Sequence, residues 1–149
     1  MINCSRGLNR ADPAQAPAVQ AVVDDVGRFW APPNSDPAMP PPHSTGAAVD
    51  LTLANRTPGQ PLDMGGAIDA IGEISHPDHY GEAAKQHPDS EQAVWHERRE
   101  LLRQVMHAAG FEQHPNEWWH FSHGDQLWAW RCGAERAIYA GAPSSAETA

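Results

Sequence analysis

The sequence predicts a loop-rich fold that mixes helices with antiparallel strands, and three observations predict it. Apolar residues recur at three- and four-residue spacing in two stretches, which is the helical period. Two other stretches carry β-forming residues in alternation or flank a tight turn. Fourteen prolines and twelve glycines in 149 residues require long connections. A chain of this length is one domain's worth, with a core that removes roughly 68–70% of the unfolded surface from water. Five of the six tryptophans follow residue 94, so burial capacity is weighted toward the C-terminal half.

Residues 1–14 show no apolar period and read as an irregular lead-in. From Gln15 to Trp30 the positions Val19, Val22, Val23, Val26, Phe29 and Trp30 form the stripe of an amphipathic helix. The proline-rich run from Ala31 to Pro42 is an extended connection that delivers His43 on a restrained backbone. The segment Ala47 to Leu53 alternates as a strand, with Ala48, Asp50 and Thr52 on one face and Val49, Leu51 and Leu53 on the apolar one.

Asn55 to Gly81 is turn chemistry throughout, and two readings stand: an active-site loop or lid, or a flexible insertion. Ser90 is placed to cap a helix from Glu91 to about Ala109, ended by Gly110. Its expected apolar stripe is Val94, Trp95, Leu101, Leu102, Val105 and Met106, with Glu97, Arg98, Arg99, Arg103 and Gln104 opposite. Trp118 to Ser122, a turn at His123-Gly124-Asp125, and Leu127 to Trp130 then read as an antiparallel hairpin. Residues 133–149 read as a flexible tail.

A formal net charge of −9, with ten scattered basic residues, excludes a nucleic-acid partner, whose phosphates need clustered Lys and Arg. Cys4 and Cys132 lie at opposite ends and read as free thiols of a reducing compartment. No stretch reaches the ~18 apolar residues of a membrane span, and the N-terminus lacks the apolar run of a secretory signal. As written, the chain is expected to be cytoplasmic.

Two short segments carry the chemistry. His43-Ser44-Thr45-Gly46-Ala47-Ala48-Val49-Asp50 offers an imidazole and a carboxylate, and Glu117-Trp118-Trp119-His120 offers another of each. Two His and one Asp form a three-ligand set that leaves a tetrahedral zinc site open, the arrangement of a catalytic centre. Glu117 is left over as a base for the attacking water, which points to peptide-bond hydrolysis. With nine His in the chain, each segment alone is weak evidence for a metal and reads more readily as loop histidines bonded to carbonyls and core tryptophans. Together they supply every role a metallopeptidase needs.

At these residues the sequence resembles the D-alanyl-D-alanine dipeptidases and, more broadly, the zinc D,D-peptidases with their His-x-x-Gly-x-Ala-x-Asp and Glu-x-x-His elements. The likeness extends to Phe29-Trp30-Ala31-Pro32-Pro33, to Leu62-Asp63-Met64-Gly65-Gly66-Ala67-Ile68-Asp69, to Arg98-Arg99-x-Leu101-Leu102 and to Trp128-Ala129-Trp130. The resemblance implies an α+β fold whose central antiparallel sheet carries the site and is flanked by helices. It implies one zinc per chain held by His43, Asp50 and His120, with Glu117 as general base. The implied substrate is a small peptide, D-Ala-D-Ala, from peptidoglycan metabolism. The alternatives are a D,D-carboxypeptidase acting on muropeptides and a catalytically impaired zinc-binding remnant.

Asp69 reads either as the partner of the substrate's ammonium or as a solvated loop carboxylate. Gly46, Ala47 and Ala48 suit a backbone passing close to the metal. Two departures from the family stand out: Pro41 replaces a serine two residues before His43, and no Tyr-Arg-Pro element precedes it. Arg6 and Arg10 have the wrong neighbours to supply the arginine that stabilises the oxyanion. Losing one such donor costs on the order of 10²–10³ in turnover. The sequence therefore reads as a single metallopeptidase domain over 1–149 that lacks the family's N-terminal part. A periplasmic or envelope location follows if that part carried an export signal.

Overall fold

A computed structural model describes residues 39–141. The expected lead-in, the Gln15–Trp30 helix, the start of the proline-rich run, Cys4 and the last eight residues of the tail lie outside the described residues. Within them, a 3-10 turn at Pro42–Thr45 leads into strand β1 (Ala48–Asp50), and a second 3-10 turn lies at Glu73–Ser75. Helices α1 (Gly81–Gln86) and α2 (Glu91–Ala108), strands β2 (Glu112–Gln113) and β3 (His120–Ser122), and helix α3 (Gln126–Cys132) follow. The sheet is antiparallel with β3 in the middle, in the order β1-β3-β2. Helices beside a small antiparallel sheet, joined by long irregular segments, are the α+β architecture expected from the sequence.

Helix α2 forms between the two signals its sequence carries. The Ser90 hydroxyl accepts from the Ala93 N–H, capping the first turn. At the other end the Gly110 N–H bonds the His107 carbonyl and the Phe111 N–H reaches back to Met106. That pair of bonds is a Schellman motif, which the left-handed Gly110 (φ 89) makes possible.

The buried face of α2 differs from the one expected. Val94, Leu101 and Val105 are 42%, 52% and 55% exposed, whereas Arg99 is 1% exposed. Trp95, Arg99, Leu102 and Met106 are spaced at i, i+4, i+7 and i+11 and make the inward stripe. Arginine belongs on it because its partners are backbone carbonyls. Nε donates to the Met64 carbonyl and Nη1 to that of His76, both at 2.9 Å. The guanidinium lies 4.8 Å from the Tyr80 ring centre and 5.1 Å from that of Trp118. Burial lowers its pKa to about 10, with Tyr80 working in the opposite direction.

These contacts also speak against reading Asn55 to Gly81 as a flexible insertion, because its part from Asp63 to Tyr80 is tied to α2. Arg98 Nη1 donates to the Asp63 carbonyl and Trp95 Nε1 to the Asp63 carboxylate. The Tyr80 hydroxyl donates to the Gly65 carbonyl. Gly65 has φ 76, and a Cβ there would come within 2.6 Å of Tyr80 and 2.7 Å of Trp95, so both conformation and space require glycine. The short helix α1, which the sequence did not announce, follows and packs on α2.

Three further expectations change. Leu127 to Trp130 lies in α3 rather than in a strand, because Asp125 Oδ1 accepts from the Trp128 N–H and starts a helix that Gly133 (φ 72) ends. The partners of β3 are therefore β1 and β2. Strand β1 is shorter than Ala47 to Leu53, and Val49 is 38% exposed. Leu51 and Leu53, beyond its end, do pack against the core of Met64, Leu102, Trp118, Trp119 and Phe121. The expected tail is tied back as far as Tyr139, whose N–H, like that of Ile138, bonds the Gly124 carbonyl. Among the described residues, no helix is long and apolar enough to cross a membrane.

Candidate active site

The sheet register assembles the site. Asp50 of β1 lies directly opposite His120 of β3, and Ala48 opposite Ser122. Side chains directly opposite share a face of the sheet, so Asp50 and His120 meet there while Phe121, 0% exposed, points into the core. His43 approaches from the preceding turn. Pro41 is extended (ψ 141), and Pro42 opens the 3-10 turn that holds His43. The Ser44 and Thr45 hydroxyls brace this turn by donating to the Pro41 and Pro42 carbonyls at 2.7 and 2.6 Å.

Gly46 closes the turn with φ 71, and nothing lies within 4 Å of a Cβ built there. The glycine thus serves a left-handed backbone.

Three side chains converge. His43 Nε2 lies 3.1 Å from His120 Nδ1 and 3.3 Å from Asp50 Oδ2, and His120 Nδ1 lies 3.1 Å from Asp50 Oδ1. Donors held about 2.0–2.1 Å from a tetrahedral zinc ion sit about 3.3–3.4 Å from one another, so these spacings suit a shared cation. Glu117 Oε2 is 3.5 Å from His120 Nδ1 and borders the cluster without belonging to it.

The electrostatics point the same way. Burial, and then the His43 charge, push the pKa of His120 down to about 4, while Asp125 works against this; the ring is neutral, as a metal ligand must be. Burial raises Asp50, opposed by His43 and reinforced by Asp69. Burial, Asp50 and Asp69 together raise Glu117 to about 7. Asp50, Asp69 and Glu117 face one cleft of about 370 Å³, and among the described residues its lining includes no arginine or lysine. Such a pocket favours a divalent cation, whose charge offsets the crowded carboxylates. The site residues fit a metal.

All five residues singled out in the sequence, His43, Asp50, Asp69, Glu117 and His120, line this cleft. Asp69 has φ 64, a conformation Asp tolerates better than most residues, at the third position of the turn from Ala67 to Ala70. Both tryptophans of the pair belong to the buried core, and Trp119 also lines the cleft.

His114 was missed by the sequence reading. It lines the cleft 3.9 Å from Glu117 Oε2, and its Nδ1 accepts from the Asn116 N–H at 3.3 Å. Burial, then His120 and Arg131, lower its pKa to about 4. Its position just before Pro115, in the turn that presents Glu117, was the available signal.

Comparison with known proteins agrees with this geometry. The profile of the M15 peptidases, described as D-Ala-D-Ala dipeptidase, matches residues 7–138. The chain belongs to this family. A D-alanyl-D-alanine dipeptidase of Synechocystis is 50% identical over 114 residues, covering 74% of this chain and 45% of that protein. Proteins of the same name from Streptomyces coelicolor and Escherichia coli are 42% and 39% identical over 80 and 79 residues. Those alignments cover 54% and 53% of this chain and 35% and 36% of the relatives. The chain thus spans less than half the length of the relatives it matches.

Proposed function

We propose that the chain is a zinc-dependent D-alanyl-D-alanine dipeptidase domain of peptidoglycan metabolism. The convergence of His43, Asp50 and His120 beside Glu117 carries this reading. His43 Nε2, one Asp50 oxygen and His120 Nδ1 would hold one zinc ion. When bound, the zinc supplies Lewis-acid polarisation of the scissile carbonyl and lowers the pKa of water.

Glu117 accepts the proton of the attacking water and returns it to the amine that leaves. Its burial at 7% exposure keeps competing solvent from the carboxylate. Asp69 binds the substrate's ammonium across the cleft. A cleft of about 370 Å³ lies at the small end of ligand pockets, roughly 300–1,000 Å³, and suits a dipeptide better than a muropeptide.

Measuring D-alanine release from D-Ala-D-Ala by the zinc-loaded chain tests the reading. Release that a chelator abolishes is expected. Chelator-resistant release contradicts a metal mechanism, and faster release from muropeptides than from the dipeptide moves the chain to the D,D-carboxypeptidases.

Two more outcomes follow. Asp69→Asn is expected to raise KM by about 10–100-fold with a smaller change in kcat, since a charge-assisted hydrogen bond contributes about 1.5–3 kcal/mol. Steady-state kinetics check this, and an equal loss in kcat and kcat/KM contradicts a binding role. For Glu117, a carboxyl raised to about 7 is partly protonated at pH 7. A neighbouring cation favours the ionised form, so zinc binding should expel a fraction of a proton from it at that pH. Zinc affinity should accordingly rise with pH up to about 7. Calorimetry in buffers of different ionisation enthalpy measures that release, and Glu117→Gln should remove this share of it.

A further inference from the structure

Behind His120, on the side away from the cleft, its Nε2 lies 3.3 Å from the Ser122 hydroxyl. Both residues are buried, at 4% and 0% exposure, so no bulk water competes for that contact. We propose that Ser122 is a positioning residue for the metal centre: its hydroxyl accepts the Nε2 proton of His120 and so commits Nδ1 to the cation. The inference rests on the zinc reading above and deepens it.

A neutral imidazole carries one proton, and which nitrogen bears it decides which can bind a metal. His120 Nδ1 is the atom that faces His43, Asp50 and Glu117. A hydrogen-bond acceptor on Nε2 fixes both the tautomer and the ring plane, as acceptors behind metal-bound histidines commonly do.

The fold makes Ser122 a rigid acceptor. It is two residues from His120 on the central strand, so alternation puts both side chains on one face. Its neighbours across the sheet leave it free for this contact. Ala48, its register partner on β1, is buried and apolar, and Glu112, its partner on β2, is engaged by His107 at 3.3 Å and Arg131 at 3.8 Å.

Zinc affinity by competition with a chromophoric chelator tests this without reference to turnover. Ser122→Ala is expected to bind zinc about 10–100-fold more weakly, still one per chain and with an unchanged circular dichroism spectrum. Ser122→Thr keeps the hydroxyl and should restore most of the affinity. In the zinc-loaded wild-type protein, NMR should show a slowly exchanging ring N–H at His120 Nε2, a readout that needs no variant.

Wild-type affinity in Ser122→Ala overturns the assignment of Ser122 while leaving the zinc centre standing, whereas a proton on Nδ1 in the zinc-loaded protein removes that nitrogen from the metal and overturns the proposed centre as well. A wild-type chain that binds no zinc, or a His43→Ala variant that binds it normally, overturns the centre and this inference together.

Discussion

Replacing Glu117 by Gln should leave one zinc per chain and lower D-alanine release by about 10²–10⁴-fold, the usual contribution of a positioned acid–base group. The two side chains have the same shape, and Glu117 stands outside the three converging donors, 3.5 Å from His120 Nδ1. Stability should not suffer. Burial and two neighbouring carboxylates already disfavour the Glu117 charge, so a neutral amide relieves a strain instead of creating one. Metal analysis and a coupled D-alanine assay on the same preparation decide the matter. Activity within tenfold of wild type, or loss of zinc, would remove Glu117 from the role of base.

Replacing Arg99 by Met should destabilise the protein by about 3–5 kcal/mol. The substitution strands the Met64 and His76 carbonyls, each orphaned acceptor costing about 1–3 kcal/mol, and removes the cation from between Tyr80 and Trp118. Relief of the buried charge offsets part of this. Arg99→Lys should recover little, since a single ammonium cannot reach two carbonyls and stack on two rings. Leu101→Ala, on the exposed stripe of the same helix, should change stability by no more than about 0.5 kcal/mol. Urea unfolding of the three variants measures all of this. A costly Leu101→Ala beside a neutral Arg99→Met would mean that α2 faces the other way.

The helix boundaries of α2 were legible because capping is local: Ser90 and Gly110 act within a few residues of themselves. Its buried face was legible only in part: Trp95, Leu102 and Met106 do turn inward, but Arg99 joins them because its acceptors come from a segment more than twenty residues earlier in the chain. Leu127 to Trp130 misled for a related reason. Aromatic and aliphatic residues after a Gly-Asp turn satisfy a strand pattern, but Asp125 also caps a helix, and that hydrogen bond prevails.

The residues that meet in the cleft, His43, Asp50, Glu117 and His120, were named from the sequence because two segments together supply every role a metallopeptidase needs and resemble that family's elements; with nine His in the chain, neither segment alone would single them out. What the sequence could not supply was the register that sets Asp50 against His120, or the presence of His114 and Ser122 beside them.

The most direct measurement is the position of zinc, found by anomalous scattering at the zinc edge from crystals of the zinc-loaded protein. The expected result is one peak bonded to His43 Nε2, Asp50 and His120 Nδ1 at about 2.0–2.2 Å, with Glu117 beside it and unbonded. A peak elsewhere, or one that omits any of these three residues, would contradict the proposed centre.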